Sequence, residues 1–279
     1  MTDMLRKKIK DNPNLTDEFK CNLGTLTDSL LGIFPDYDYT YLMDKLSALK
    51  VSKSNTIADY SSYNNNDNEL FINTRKAFDD GIDLQHLFMK ELLSIGTHKK
   101  EKNASMEGFY KGMTEAIASL INPDESIKKV DPLESIGISI FSKITGADAL
   151  IDSYMKDDLS ILLLALESQG ISSVDFSVLL NNFNNAKEDF LGLERTLNLM
   201  FEKRMNFGIQ SGVINNDNLE HAYKSFADML IYNKAELIAL YKGHDFSSVS
   251  SLATLTNDVT SSINRLEKNI VASNTSYHK

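Results

Sequence analysis

The sequence has almost no cysteine: Cys21 stands alone among 279 residues. One thiol closes no internal disulfide and assembles no metal cluster, so nothing points to an oxidising compartment, and Cys21 reads as a small apolar filler. Prolines are also few, four beside thirteen glycines, which leaves little material for long disordered tracts. Apolar runs are short. The N-terminal "MTDMLRKKIKDNPNLTDEF" has no apolar centre of the length a secretory signal needs, and the most apolar stretch, "SILLLAL" (Ser160–Leu166), falls far below the roughly 18 residues that suggest a membrane span. A cytoplasmic location without membrane association is the expectation.

Positive charge is the other shortage. Lys and Arg number 29 against 39 Asp and Glu, a formal net charge of −10. Nucleic-acid backbones are held by clustered cations, so this balance argues against a general nucleic-acid partner. The two basic clusters, "RKKIK" (Arg6–Lys10) and "THKKEK" (Thr97–Lys102), are short and read as solvated helix ends or loops.

Several catalytic signatures are missing too. The chain contains no G-x-S-x-G nucleophile elbow, no phosphate-cradling P-loop and no G-x-G-x-x-G.

What is present is mostly helical periodicity, with apolar residues three and four apart. "TDEFKCNLGTLTDSLLGIF" (Thr16–Phe34) opens on a cap signal and stops at Pro35, and "YTYLMDKLSALKV" (Tyr39–Val51) reads as a second helix. The aromatics Phe34, Tyr37, Tyr39 and Tyr41 around Pro35 read as core, with a recognition surface as the alternative. Between Asn55 and Asn73, "NTIADYSSYNNNDNELFIN" places β-branched and aromatic residues on both sides of an Asn/Asp-rich connector, the pattern of a hairpin with Leu70 and Ile72 on one face of its second strand.

"DDGIDLQHLFMKELLSIG" (Asp79–Gly96) then reads as a helix begun at Asp79 or Asp80. It has an apolar stripe of Leu84, Phe88, Leu92 and Ile95 and a separate polar face of His86, Lys90 and Ser94. "EGFYKGMTEAIASLI" (Glu107–Ile121) is the next helix. Further amphipathic helices follow in "PLESIGISIFSKI", "ADALIDSYMKDDLSILLLALES", "LERTLNLMFEKRM", "LEHAYKSFADMLIYNKAELIALY" and "LATLTNDVTSSINRLEKNIV". The fold class this predicts is α+β and predominantly α-helical. Residues 1–125 carry the first helices, the hairpin and the Lys90/Glu115 helix pair, and 126–279 form a C-terminal helical lobe continuous with them.

The segment "KELLS" (Lys90–Ser94) has the spacing of a helical HExxH box, in which two imidazoles four residues apart hold one zinc ion and the glutamate between them acts as general base. The order is hairpin, "MKELLSIGT" helix, glycine-containing loop, then "GMTEAIASLI", with Ser94 and Glu115 21 residues apart. This resembles the small zincin-like, gluzincin-type metallopeptidases of Gram-positive bacteria, whose usual text is HELLH followed by a segment close to G-x-L-N-E-G-x-T-E.

On that resemblance Glu91 overlays the general base, and Lys90 and Ser94 overlay the two ligand histidines. Glu115 overlays the third ligand. Both histidines are replaced. An ammonium has no lone pair for a metal and a serine hydroxyl is a poor zinc ligand, so no metal or other cofactor is expected. A substitute set of His86, Glu91 or Glu115, and His98 would need a helix broken near Gly96, because twelve helical residues span about 18 Å. His86 and His98 therefore read as surface histidines, and His221, His244 and His278 as incidental.

Were the two helices packed as in a zincin, Glu91 and Glu115 would face a shared interior, and Lys90 would supply the positive charge by pairing with Glu115. The alternative leaves Lys90 and Glu91 in water. The resemblance implies a catalytically inactive metallopeptidase relative that binds a protein or peptide in the cytoplasm of a bacterium or on a mobile element such as a phage. Two rivals stand beside it: an active hydrolase using Glu91 and Glu115 as acid and base, and a helical structural protein unrelated to zincins. Neither composition nor pattern selects an oligomeric state.

Overall fold

The computed structural model describes residues 2–97, 104–124 and 126–241. The described residues form twelve α-helices and one three-stranded sheet. Helices α1 (Thr2–Asp11), α2 (Asp17–Ile33) and α3 (Thr40–Ala48) lead into β1 (Lys50–Lys53), β2 (Ser61–Asn64) and β3 (Glu69–Ile72). They are followed by α4 (Thr74–Asp79), α5 (Leu84–Thr97), a 3-10 turn at Ala104–Met106 and α6 (Glu107–Ile121). The remainder is α7 (Pro132–Thr145), α8 (Ala147–Met155), α9 (Leu159–Glu167), α10 (Ser173–Asn184), α11 (Phe190–Gln210) and α12 (Asn216–Tyr241). The chain is thus predominantly helical with a small mixed sheet. Among the described residues no helix is long and apolar enough to cross a membrane.

Two compact units emerge. The first comprises the residues up to Ser135 together with Leu150–Ile161; the second comprises Ile136–Ala149 and the described residues from Leu162 onward. The first unit thus continues past residue 125.

In the first unit, α2 begins where Thr16 turns its hydroxyl back to the Phe19 amide, with Asp17 and Glu18 complementing the positive helix end. Its apolar face buries Phe19, Leu23, Leu30 and Leu31. The Tyr39–Val51 helix reading is corrected at its end. The helix stops at Ala48, because the buried Asn12 side chain donates to the carbonyls of Leu46 and Leu49, both at 2.9 Å, and takes up acceptors that a longer helix would need. Lys50–Lys53 leave the helix as β1, which runs parallel to β3.

The expected hairpin is present as β2 and β3, antiparallel with Ser61 opposite Ile72. Asn68 closes its turn at φ +50°, and Leu70 and Ile72 are buried as the alternation predicts. The strand order is β1-β3-β2, so β3 is central and both neighbours are edges.

The start of the KELLS helix is also corrected. Asp79 ends α4, Gly81 reverses the chain at φ +69°, and α5 begins only after Asp83, whose carboxylate accepts the His86 amide at 2.7 Å. Helix α5 packs against α2, α3, α6 and β2. It is therefore buried almost all round, including at His86, Lys90 and Thr97, and its polar stripe lies in the core rather than in solvent. Leu84, placed in the apolar stripe, is 38% exposed.

Aromatic residues near Pro35 are core as expected for Phe34 and Tyr39; the Tyr39 hydroxyl donates to the Phe34 carbonyl at 2.7 Å. Cys21 is corrected from filler to exposed. "ADALIDSYMKDDLSILLLALES" is two helices rather than one, interrupted where Asp157 takes φ +51°.

In the second unit, α10 starts with a reciprocal cap between Ser172 and Asp175. Gly137 lets two side chains approach closely there: a Cβ would lie 2.7 Å from Phe183 and 2.8 Å from Leu193, and those side chains would have to shift to admit it. The candidate helix at 252–271 lies outside the described residues.

Candidate functional site: a buried ion cluster between α5 and α6

Residues four apart on a helix share a face, so α5 presents His86 and Lys90 one above the other. Facing them on α6 is Glu115, completely buried, while His86 is 2% and Lys90 6% exposed. Glu115 Oε1 lies 2.5 Å from His86 Nε2, and Oε2 lies 2.8 Å from Lys90 Nζ. Oε2 also accepts the backbone N–H groups of Val130 and Asp131, at 3.2 and 3.1 Å. The Lys90 ammonium in turn donates to Asp131 Oδ2 at 2.6 Å. A single ammonium thus sits between two carboxylates, and one carboxylate has four donors.

Burial alone would raise the Glu115 carboxyl. The hydrogen bond from His86, the charges of Lys90 and His86 and the hydrogen bond from Lys90 outweigh it and bring the pKa down to about 2. Burial likewise opposes the charged form of Lys90, but Asp131 and then Glu115 hold it above the ordinary lysine value. Because an ionised carboxylate can only accept, the proton in the His86–Glu115 contact belongs to Nε2. His86 Nδ1 is buried with no hydrogen-bond partner.

The residues picked out by the HExxH spacing separate here. Lys90 and Glu115 are brought together. Glu91, next along α5, goes elsewhere: it is half-buried and accepts from Ser61 of β2 at 2.6 Å, tying sheet to helix. Glu115 has its own set of donors, so the shared interior site expected for the two glutamates is instead a site of Glu115 and Asp131. Ser94 is half-buried.

His86, read from sequence as a surface histidine, is a core residue. Its position one turn before Lys90 was the available signal. Asp131 gave none, because it stands 41 residues from Lys90 and only the fold brings them into contact. His221 is exposed, whereas His98, His244 and His278 lie outside the described residues. Helix α5 is unbroken through Gly96. Among the described residues no group of three or more His, Cys, Asp or Glu is placed to hold a metal ion.

A second polar contact flanks the cluster on α6: Thr114 bonds the fully buried Tyr154 hydroxyl at 2.7 Å, and burial holds that phenol well above its ordinary value.

Comparison with protein-family models, with curated proteins and with solved structures finds no match for this chain.

Removing one partner of a buried ion pair leaves an uncompensated charge, which typically costs about 3–5 kcal/mol. Lys90→Ala is therefore expected to lower stability by about that amount in urea unfolding; a change under about 1 kcal/mol would mean the ammonium is not electrostatically needed. The pH profile follows from the two shifts. Glu115 has a folded pKa below its unfolded value, so its contribution is complete above about pH 4.5 and is lost as pH falls toward 2. Lys90 is shifted up, so its contribution is complete below about pH 10.5 and is lost as pH rises beyond. Urea midpoints measured from pH 2 to 11 should form a plateau falling at both ends, with a shallower acid limb in Glu115→Gln, where the other carboxylates held low, Asp152 and Asp175 among them, still contribute.

Proposed function

We propose that the chain is a catalytically inactive, protein- or peptide-binding relative of the zincin-like metallopeptidases, in which the Lys90 ammonium replaces the metal ion. The observation that carries this reading is the 2.8 Å pair of Lys90 and Glu115, the two residues that overlay ligand positions of the family. A cation of fixed charge at that point neutralises Glu115 and Asp131 without a metal, and it keeps α5 and α6 in register.

The geometry weighs against the acid–base hydrolase. Glu115 is fully buried, has four donors and is held near pKa 2, so it offers neither a proton nor an accessible base at neutral pH. Glu91 is bound to Ser61.

What such a helix pair retains is the sheet edge beside it. Strand β2 packs on α5 and is an edge of the sheet, and an extended peptide adds to such an edge through main-chain hydrogen bonds. The edge at β1 is less suited, since Lys50 and Lys53 are exposed along it and charged lysines discourage strand addition. A location in the cytoplasm of a bacterium or on a mobile element belongs to the same proposal.

Two measurements test it. A chain carrying both Lys90→His and Ser94→His is expected to bind one zinc ion per molecule where the parent chain binds none; a folded double variant that ignores zinc removes the kinship with zincins. Peptides selected from a random library on the immobilised parent chain are expected to shift the amide resonances of Ser61–Asn64 without being cleaved. Cleavage that disappears in Glu91→Gln would overturn the inactive reading, and shifts confined to other elements would overturn the edge.

A further inference from the structure

The buried cluster owes part of its cover to a piece of chain that has no regular secondary structure. Residues 126–131, between α6 and α7, run as turn and bend. Ser126 and Lys128 are exposed, and Ile127, Lys129 and Val130 only half-buried; Asp131 alone is buried. Polar anchors hold this segment. The Val130 and Asp131 amides donate to Glu115, the Asp131 carboxylate accepts from Lys90, and Lys128 Nζ donates to the Asp80 carbonyl at 2.8 Å. The groups it shields are nearly inaccessible.

Segments with little buried apolar surface open at a fraction of the cost of global unfolding. The anchors here are of a kind that water replaces, because the carboxylate, ammonium and amides released on opening all hydrate well. Helices α5 and α6, by contrast, are held by apolar burial at Phe88, Leu92, Phe109, Met113 and Ile117. We propose that residues 127–131 form a strap over the Lys90–Glu115 pair that opens by itself, exposing both charges while α5 and α6 stay packed. This inference does not depend on any kinship with zincins: it follows from which interactions hold the segment and which hold the helices.

Hydrogen exchange of the Val130 and Asp131 amides, measured across low urea concentrations in the parent chain, decides it. Exchange nearly independent of urea, and faster than that of the Lys90 and Leu92 amides, is the expected result. The same urea dependence for all four amides, reaching the rate set by global unfolding, would overturn the strap.

Lys128→Ala removes one anchor at an exposed side chain and should speed the two strap amides about threefold, with the urea midpoint of the protein unchanged. Asp131→Asn should speed the Val130 amide roughly tenfold or more and make Lys90 reactive toward an amine-acetylating reagent, read by mass spectrometry. A midpoint that falls in both variants without selective acceleration at Val130 would show the segment to be an inseparable part of the core.

Discussion

The first unit is organised around one electrostatic constraint: a carboxylate with no exposure must be given as many donors as water would supply. Glu115 meets it with an imidazole, an ammonium and two backbone amides, which come in pairs from two places in the chain, α5 and the segment after α6. Helix α5 must present residues 86 and 90 on the face toward α6, and the chain after α6 must return to lay Val130 and Asp131 against the same oxygen. Apolar burial holds α5 against α6, and Glu115 adds to it the facing of residues 86 and 90 and the path of the following segment. Desolvation makes the closed arrangement exacting, since a donor removed while the cluster stays covered leaves a charge with no water to replace it.

The same constraint explains why α5 is unlike a surface helix. Two apolar neighbours, α2 and α3, take one side and the sheet contacts another through β2. The stripe that would ordinarily face solvent is instead turned on α6 and carries the ionisable groups. Ser61 and Glu91 extend the polar ties to the sheet. A helix buried in this way keeps its polar residues only because they answer one another.

Much of the fold could be read in the sequence, for definite reasons. Helix α2 carries its cap and its apolar spacing within one window, α6 its apolar spacing, and the β2–β3 hairpin shows its polar turn and its alternation at Leu70 and Ile72. What was hidden depended on distant partners. Nothing near Lys50 says that a helix must end at Ala48; the stop comes from Asn12, 34 and 37 residues before the carbonyls it binds. Strand β1 exists because β3 lies beside it. At the site, the pairing of Lys90 with Glu115 is an expectation of the resemblance to zincins, which overlays both on ligand positions. His86 looked like a surface residue because periodicity gives the face but not what covers it, and Asp131 belongs to a loop without pattern. The sequence pattern also starts the α5 helix too early, at Asp79 or Asp80, since Gly81 at positive φ is a conformational break that glycine permits but does not announce.

The chain path through the two units has a consequence for anyone who would divide the molecule. Because Leu150–Ile161 belongs with the front part while Ile136–Ala149 belongs with the rear, a single cut anywhere between Ser135 and Leu162 leaves at least one half lacking a stretch of its own. Truncation in this stretch therefore never yields two complete units, and during synthesis the first unit lacks its full complement of chain until residue 161 has left the ribosome. A front unit free of rear chain would need a redesigned connection in place of residues 136–149, which a stop after Ile161 leaves attached.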